Sequence, residues 1–187
     1  MPAAAHRRLA CGRILWLLAA VGLSCLPAAR AQSRDERAVR AAYVYNLIKY
    51  VDWPEPQKEL TVGFLGDAAT GSVIEQLLNG RTNQGQTIRV VSPAPGEDLE
   101  RCGLLYVAGT SEADTRKALE RVKGRSVLTV GETDGFVREG GMVALVNSGD
   151  HIQLEVNLEA VQAAGIRISS RVLGLATIVR PAEKGGQ

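Results

Sequence analysis

The segment Cys102-Gly103-Leu104-Leu105-Tyr106-Val107-Ala108-Gly109-Thr110-Ser111 decides the fold class. Its apolar run over Leu104–Ala108 predicts a buried strand, and Thr110-Ser111 supplies a cap for a helix over Glu112–Val122. A further apolar run follows this helix at residues 126–130. A strand, a helix and a second strand in this order are typical of an α/β domain with a largely parallel sheet.

The same alternation extends in both directions from this unit. Towards the N-terminus we predict strands at 60–65 and 87–91 and a helix at 71–78. Towards the C-terminus, runs at 142–146 and 152–156 flank Asn147-Ser148-Gly149-Asp150, which predicts an antiparallel hairpin.

Two helices close the predicted domain. Asn157 can cap a helix that ends at Gly165, and Ser169 can cap a last helix that directs Val172, Leu173 and Ala176 inward. The sequence therefore predicts one α/β domain over residues 32–187, with a largely parallel sheet flanked by helices, a C-terminal antiparallel hairpin and two closing helices.

A longer helix is predicted before Pro54, with Ser33 and Glu36 as a capping box. It has two apolar stripes on opposite faces: Val39, Tyr43, Leu47 and Tyr50 form one, and Ala41, Val44, Ile48 and Val51 form the other. A helix that is apolar on two sides needs two partners, either two layers of its own fold or a second chain. We therefore expect a homodimer, in which aspartate at Val44 or Ile48 weakens association more than it unfolds the monomer.

The first 31 residues have the features of an export signal. Basic residues up to Arg13 precede the apolar run 14–26, and Ala29-Arg30-Ala31 suits a signal peptidase. Cleavage after Ala31 leaves 156 residues and, because four arginines leave, changes the net charge from +2 to −2. A periplasmic protein is expected, and its near-neutral charge argues against nucleic-acid binding. Gly22-Leu23-Ser24-Cys25 leaves open lipid attachment at Cys25.

Few residues remain for catalysis once the signal is removed. Cys102 becomes the single cysteine, so no internal disulfide can form; it is either buried at a strand entrance or pairs with another chain. His151 is the single imidazole, in the predicted hairpin turn. Glu132, Asp134 and Glu139 do not have EF-hand spacing and predict a mobile acidic loop instead. We predict no enzyme, no catalytic residue, no metal site and no cofactor.

Several motifs resemble those of a known family. The run Ala41-Ala42-Tyr43-Val44-Tyr45-Asn46-Leu47-Ile48-Lys49-Tyr50-Val51-Asp52-Trp53-Pro54 is similar to the N-terminal signature of the YfiR-like periplasmic family. The glycine segment from Gly131 to Met142, and the closing segments 152–158 and 164–173, resemble that family in the same order. The resemblance covers about residues 36–180.

The resemblance implies an exported α/β protein that tends to form dimers and has no known catalysis. Well-understood members hold an inner-membrane diguanylate cyclase of the YfiN type inactive, and an outer-membrane YfiB-type lipoprotein sequesters them. Members with paired cysteines form internal disulfides, which Cys102 alone cannot do. The signature positions expected to have structural roles are Tyr43, Asn46, Tyr50, Trp53, Pro54, Gly141, Asn157, Gly165, Ser169 and Ser170.

We interpret Tyr43, Tyr50 and Trp53 as core aromatic residues because of their helical spacing. Asn46 lies within their stripe, where a buried amide needs a hydrogen bond; a backbone partner is one interpretation and contact with a ligand or partner is the other. The predicted partner contacts are Tyr45 and Lys49 on the polar edge of the helix and the 132–141 loop, with Glu132, Asp134 and Phe136.

Two functions remain open from the sequence. The first is a regulatory protein that binds and represses an inner-membrane diguanylate cyclase. The alternative is a sensor of small ligands, or a solute-binding component, that serves a histidine kinase or another receptor.

The processing prediction can be tested by intact-mass measurement of the exported protein. We expect a chain that starts at Gln32 and carries no lipid, because Ala29 and Ala31 occupy the positions that signal peptidase reads. A chain that starts at a diacylated Cys25 would contradict this prediction.

Overall fold

The computed structural model describes residues 27–55, 58–93, 98–149 and 151–180, with side chains from Glu36 onwards. Within these residues the elements follow the order α1 (Pro27–Lys49), β1 (Val51–Asp52), β2 (Glu59–Gly66), α2 (Ala68–Leu78), β3 (Thr82–Asn83), β4 (Gln86–Val91), β5 (Leu104–Ala108), α3 (Glu112–Val122), β6 (Leu128–Gly131), β7 (Val143–Ser148), β8 (His151–Val156), α4 (Leu158–Ala163), β9 (Arg167–Ile168), α5 (Ser170–Leu173) and β10 (Ala176–Ile178). A short 3-10 turn at Leu99–Arg101 precedes β5.

The main sheet has eight strands in the order β10-β8-β7-β6-β5-β2-β4-β3. Strands β4, β2, β5, β6 and β7 are parallel to their neighbours within this set, which is a doubly wound order. The β7–β8 hairpin is antiparallel, and β10 lies parallel to β8 at the edge. A second, two-stranded sheet pairs β1 with β9. The predicted single α/β domain with a largely parallel sheet is confirmed.

The central strands of the main sheet are buried on both faces, because helices cover both sides of the sheet. All five residues of β5 and all four of β6 are buried. Alternate residues of β5 enter different cores: Tyr106 packs with α1 and α2, and Leu105 and Val107 pack with α3. The run Leu104–Ala108 is apolar throughout because neither face of this strand meets water.

Most predicted elements are present, with small changes at their ends. The strand at Leu104–Ala108, the helix at Glu112–Val122 and the β7–β8 hairpin are confirmed. Asn157 caps α4, and Gly165 follows it with a φ of +70°. Cys102 is buried just before β5, as predicted, and burial raises the pKa of its thiol. This burial argues against the alternative in which Cys102 pairs with another chain.

Three predictions about individual elements are wrong. Helix α1 begins at Pro27 instead of Ser33, because alanine-rich residues before Ser33 continue the helix. The last helix is a single turn, and Ala176 belongs to β10 instead. His151 is exposed and is the first residue of β8, whereas the sequence predicts it in the hairpin turn. Residues 1–26 of the predicted export signal, which runs to Ala31, lie outside the described residues together with Cys25, and cleavage after Ala31 stays a prediction.

The prediction for Val44 and Ile48 also needs correction. Both side chains are fully buried in the core between α1 and the sheet. Aspartate at either position would therefore unfold the monomer before it tested any contact between chains.

The loop before β7 is a packed part of the fold. Phe136 is buried, and a Cβ atom added at Gly131 or Gly141 would overlap its ring. The Gly141 Cβ atom would also lie 2.8 Å from the Phe136 carbonyl oxygen, which cannot move away as a side chain could. Gly141 is therefore required for close packing and not for backbone freedom.

We expect Gly141→Ala to lower the free energy of unfolding by about 1–3 kcal/mol, measured by chemical denaturation. Phe136→Leu alone should also destabilise the protein, because it leaves a cavity. The double variant should be less destabilised than the sum of the two, since the smaller side chain makes room for the new methyl group. Strictly additive losses would contradict this packing explanation.

Candidate partner-binding surface

Helix α1 has one face on the sheet and one face directed outward. Ala41, Val44, Leu47 and Ile48 are buried beneath it. On the outward face Val39 and Tyr43 are 48% and 39% exposed, and Tyr50, the residue directly after the helix, is 40% exposed. Helical spacing places Val39, Tyr43 and Asn46 along one line of α1. Among the described residues, Leu175 and Ile178 are the other large apolar side chains that are exposed. We call Val39, Tyr43, Asn46 and Tyr50 together the outer stripe.

The prediction that these aromatic residues belong to the core is wrong for Tyr43 and Tyr50. Asn46 is exposed too, and its Oδ1 atom accepts a hydrogen bond from Lys49 Nζ at 3.4 Å, so the predicted buried amide is also wrong. Trp53 is half-buried, and its ring nitrogen donates to the Gly103 carbonyl oxygen at 2.8 Å. The sequence shows two stripes but does not show which of them faces the sheet.

Tyr45 and Lys49 border the outer stripe. Tyr45 is half-buried against the core, and the Lys49 ammonium lies 4.3 Å from the centre of its ring. The Arg81 guanidinium lies 5.0 Å from the same ring centre. This pair of cation–π contacts gives the helix end a positive, aromatic margin, which suits both residues to contact with a partner.

Side chains from the β3–β4 turn fasten the C-terminal end of α1. Asn83 Nδ2 donates to the Ile48 carbonyl oxygen at 3.3 Å, and Gln84 Nε2 donates to the Lys49 carbonyl oxygen at 3.2 Å. Carbonyl groups at a helix end have no partner within the helix, so these bonds satisfy them.

A polar cluster of Arg40, Tyr106, Glu132 and Asn147 holds the middle of α1 over the carboxyl ends of the parallel strands. Arg40 is 8% exposed, and its Nη2 atom donates to Asn147 Oδ1 at 2.8 Å. Its Nε atom lies 3.6 Å from Glu132 Oε2, and the Tyr106 hydroxyl donates to Glu132 Oε1. The cluster thus draws one side chain each from β5 and β7 and one from the residue directly after β6.

Burial and neighbouring polar groups change the pKa values of two acid groups in and beside the cluster. Burial, followed by the negative charge of Glu132, raises the pKa of Tyr106 above its ordinary range. Burial also acts to raise the pKa of Asp67, but hydrogen bonds from Thr70 outweigh it and the net pKa is lowered, with a contribution from Arg37. Asp67 caps α2, where it accepts from Thr70 N at 3.0 Å. Tyr106 therefore keeps its proton and donates it in a hydrogen bond to the Glu132 carboxyl group.

The 132–141 loop differs from the mobile acidic loop that we predicted. Glu132 is engaged in the polar cluster, and Phe136 is buried, so neither is presented to a partner. Asn157 Nδ2 also donates to the Val137 carbonyl oxygen at 3.1 Å and ties the loop to α4. Asp134 alone of the three predicted loop contacts is exposed. The apolar character of Phe136 and Val137 was the available sequence signal for a packed loop.

The C-terminal signature residues pack beside the end of α1. Strand β9 pairs with β1, and Ser169 N donates to the Tyr50 carbonyl oxygen at 2.9 Å. The Ser169 hydroxyl caps α5, and Ser170 is exposed. Gly165 lies against Pro54, since a Cβ atom there would be 3.6 Å from Pro54 Cγ. The structure thus brings together the two ends of the signature, which are far apart in sequence.

An open cavity of about 700 Å³ lies at the other end of the strands from the polar cluster, near the amino ends of β2, β5 and β6. Trp53, Leu60 and Cys102 line it, and the ion pair between Arg125 Nη2 and Glu100 Oε2, at 3.1 Å, lies at its wall. Its size is in the range of small-molecule sites. Among the described residues, no cluster of three or more His, Cys, Asp or Glu side chains could hold a metal ion.

Comparison with known families supports the resemblance. A family model described as YfiR/HmsC-like matches residues 37–177, which include α1 from Arg37, the whole main sheet up to Thr177 and the polar cluster. Within the described residues, no helix has the length and apolar character needed to cross a membrane.

The Tyr106–Glu132 hydrogen bond predicts a specific pH dependence. We expect Tyr106→Phe to lower the free energy of unfolding by about 1–3 kcal/mol at neutral pH, because Glu132 loses a donor. The folded protein holds the phenol proton more tightly than the unfolded chain, whose tyrosines have the ordinary pKa of 10.0. This part of the stability is complete below that pH and is lost as the pH rises above it. The gap between wild type and variant should therefore narrow above about pH 10.

Denaturant unfolding between pH 7 and 11 measures both effects. Tyr43→Phe is the matched control, since Tyr43 is exposed on the outer stripe. The free energy of unfolding of Tyr43→Phe should equal that of the wild type at every pH. A gap between wild type and Tyr106→Phe that stays constant through pH 11 would show that Tyr106 titrates normally.

Proposed function

Because this chain belongs to the YfiR/HmsC-like family, we propose that it is a periplasmic regulator that binds the periplasmic part of an inner-membrane diguanylate cyclase and keeps the enzyme inactive. Bound in this way, it lowers the concentration of cyclic di-GMP. The family is regulatory and not catalytic, so the function is exerted through binding.

The outer stripe of α1 is the observation that carries this proposal. Val39 and Tyr43 are exposed on a helix whose inner face is fixed to the sheet, and Tyr50 is exposed directly after its last residue. Tyrosine is enriched among the residues that dominate binding energy at protein interfaces, because it offers a large area with few rotatable bonds. Lys49 and the half-buried Tyr45 add a positive, aromatic margin.

Repression requires a preference between two states of the enzyme. A bound protein shifts an equilibrium only by the difference in its affinity for the two forms. To move a cyclase from mostly active to mostly inactive, the regulator must bind the inactive form about 10⁴-fold more tightly. We therefore propose that the outer stripe fits a surface that the cyclase presents in its inactive form.

A second partner can reverse the repression. An outer-membrane YfiB-type lipoprotein, which the resemblance implies, would compete for the regulator and release the cyclase. Competition needs no further device if the two partners share the outer stripe or its margin.

The cavity beside Trp53 favours a second candidate function. A site of about 700 Å³ could hold a small organic ligand, and the chain would then serve as a sensor for a histidine kinase or another receptor. In that case substitutions in the cavity, and not on α1, would change signalling.

Deletion and complementation in the native host test the proposal. Deleting the gene should raise cyclic di-GMP and surface attachment, and an exported wild-type copy should reverse both. Tyr43→Ser/Tyr50→Ser should fail to restore repression, because each lost aromatic anchor costs about 2 kcal/mol or more of binding. Lys117→Ser is the matched control, since it changes an exposed residue on α3, on the other side of the sheet.

The variants must be compared at equal periplasmic levels and with unfolding midpoints equal to that of the wild type. Full repression by Tyr43→Ser/Tyr50→Ser would show that the outer stripe is not the binding surface. Unchanged cyclic di-GMP in the deletion strain, with the cyclase expressed, would contradict the regulatory function and favour the sensor.

A further inference from the structure

A second cavity lies between the C-terminal part of α3 and α4, and we call it the α3–α4 cavity. Its volume is about 320 Å³, at the lower end of the range of small-molecule sites. Leu119, Val122 and Met142 are buried and form its apolar walls. It shares Gly124 alone with the cavity beside Trp53, and no described residue of α1 lines it. It is therefore separate from the other two candidate sites.

Two buried polar side chains in the wall of this cavity have hydrogen-bond donors that the fold does not use. Thr129 is 2% exposed, and its Oγ1 atom accepts a hydrogen bond from Met142 N at 2.9 Å. Asn157 is 1% exposed; its Oδ1 atom accepts from Ala160 N, and its Nδ2 atom donates one N–H to the Val137 carbonyl oxygen, both at 3.1 Å.

The Thr129 hydroxyl proton and the second N–H of Asn157 Nδ2 have no acceptor among the described residues. A buried donor without an acceptor costs free energy, so buried polar groups are nearly always satisfied by protein, water or a ligand. These two donors therefore favour an acceptor that enters the cavity from outside the chain.

Carboxylates surround the mouth of the cavity. Glu120, Glu139 and Glu159 line it and are exposed, and in the described part of the chain none of them forms an ion pair. Lys123 is the single basic residue of the lining, which therefore has a net formal charge of −2. A cleft lined mainly by one sign of charge raises the local concentration of ions of the opposite sign. The mouth therefore favours a cation.

We propose that the α3–α4 cavity binds a small organic amine with an apolar body and, at its other end, a neutral hydrogen-bond acceptor. The ammonium group lies among the three carboxylates at the mouth. The apolar body packs against Leu119, Val122 and Met142, and the acceptor meets the free donors of Thr129 and Asn157. An anion of the same shape is repelled at the mouth, and a ligand without an acceptor leaves the two buried donors unsatisfied.

This inference goes beyond repression of the cyclase and does not depend on it. The outer stripe and the α3–α4 cavity share no residue, so each proposal can fail while the other holds.

Titration of the exported, processed protein with tyramine, followed by NMR, tests the site. Tyramine is the probe because its phenol oxygen, ring and ammonium group follow one another in the order that the cavity requires. We expect saturable shifts of the backbone amide signals of Leu119, Gly140 and Asn157. A dissociation constant of about 1 mM or lower is expected for a ligand of this size. The signals of Tyr43, on the outer stripe, and Leu60, in the cavity beside Trp53, should not shift.

Two related compounds separate the buried donors from the carboxylates at the mouth. Phenethylamine lacks the hydroxyl group and should bind about tenfold more weakly than tyramine, because Thr129 and Asn157 then have no acceptor in the ligand. The compound 3-(4-hydroxyphenyl)propionate has a carboxylate instead of the ammonium group. It should cause no saturable shift up to about 10 mM, because the mouth repels it.

Substitutions at the mouth should change tyramine binding in opposite directions. Glu139→Gln should weaken binding by about threefold and Lys123→Gln should strengthen it by a similar factor, since exposed charge pairs have modest energies. Ala163→Leu places a larger side chain in the cavity and should weaken binding by about tenfold or more. Gln162→Leu is the matched control on the same helix, because Gln162 does not line the cavity. All four residues are exposed, so the variants should keep the wild-type unfolding midpoint.

Three outcomes would overturn the proposal. Equal affinity for tyramine and 3-(4-hydroxyphenyl)propionate would show that the carboxylates do not select a cation. Shifts confined to residues around Trp53 and Leu60 would place the amine in the other cavity. No saturable shift up to about 10 mM tyramine would show that water alone satisfies Thr129 and Asn157.

Discussion

The contact of Arg40 with Glu132 fixes the position of α1, and the rest of the candidate surface depends on it. A buried charge is costly unless it is paired and hydrogen-bonded. Here the guanidinium meets Glu132 and Asn147, and Tyr106 donates to the same carboxylate. Glu132 directly follows β6 and Asn147 lies in β7, so both can meet Arg40 in one rotation of the helix. The cluster therefore contributes specificity of packing more than stability, since an apolar core of similar volume would hold the helix equally well.

The rotation of α1 in turn decides which apolar stripe faces outward. With Arg40 over the strand ends, Val44 and Ile48 fall on the sheet and Tyr43 and Tyr50 face away from it. Asn83 and Gln84 hold the far end of the helix, and the pairing of β1 with β9 holds the chain beyond it. A surface fixed at both ends loses little conformational entropy when a partner binds, which favours affinity. The exposed positions of the tyrosines are thus set by interactions on the buried side of α1 and at its C-terminal end.

Elements whose pattern lies within a few neighbouring residues could be predicted from the sequence. Features that depend on contacts between distant parts of the chain could not. The apolar run of β5, the cap of α3 and the β7–β8 turn are encoded within a few residues, and all three were predicted. Strands β1, β3, β9 and β10 have two or three residues each, too few for a periodicity, and exist because a neighbour pairs with them. The polar cluster joins residues up to 107 positions apart. No local signal distinguishes Glu132 in this cluster from a solvated loop carboxylate.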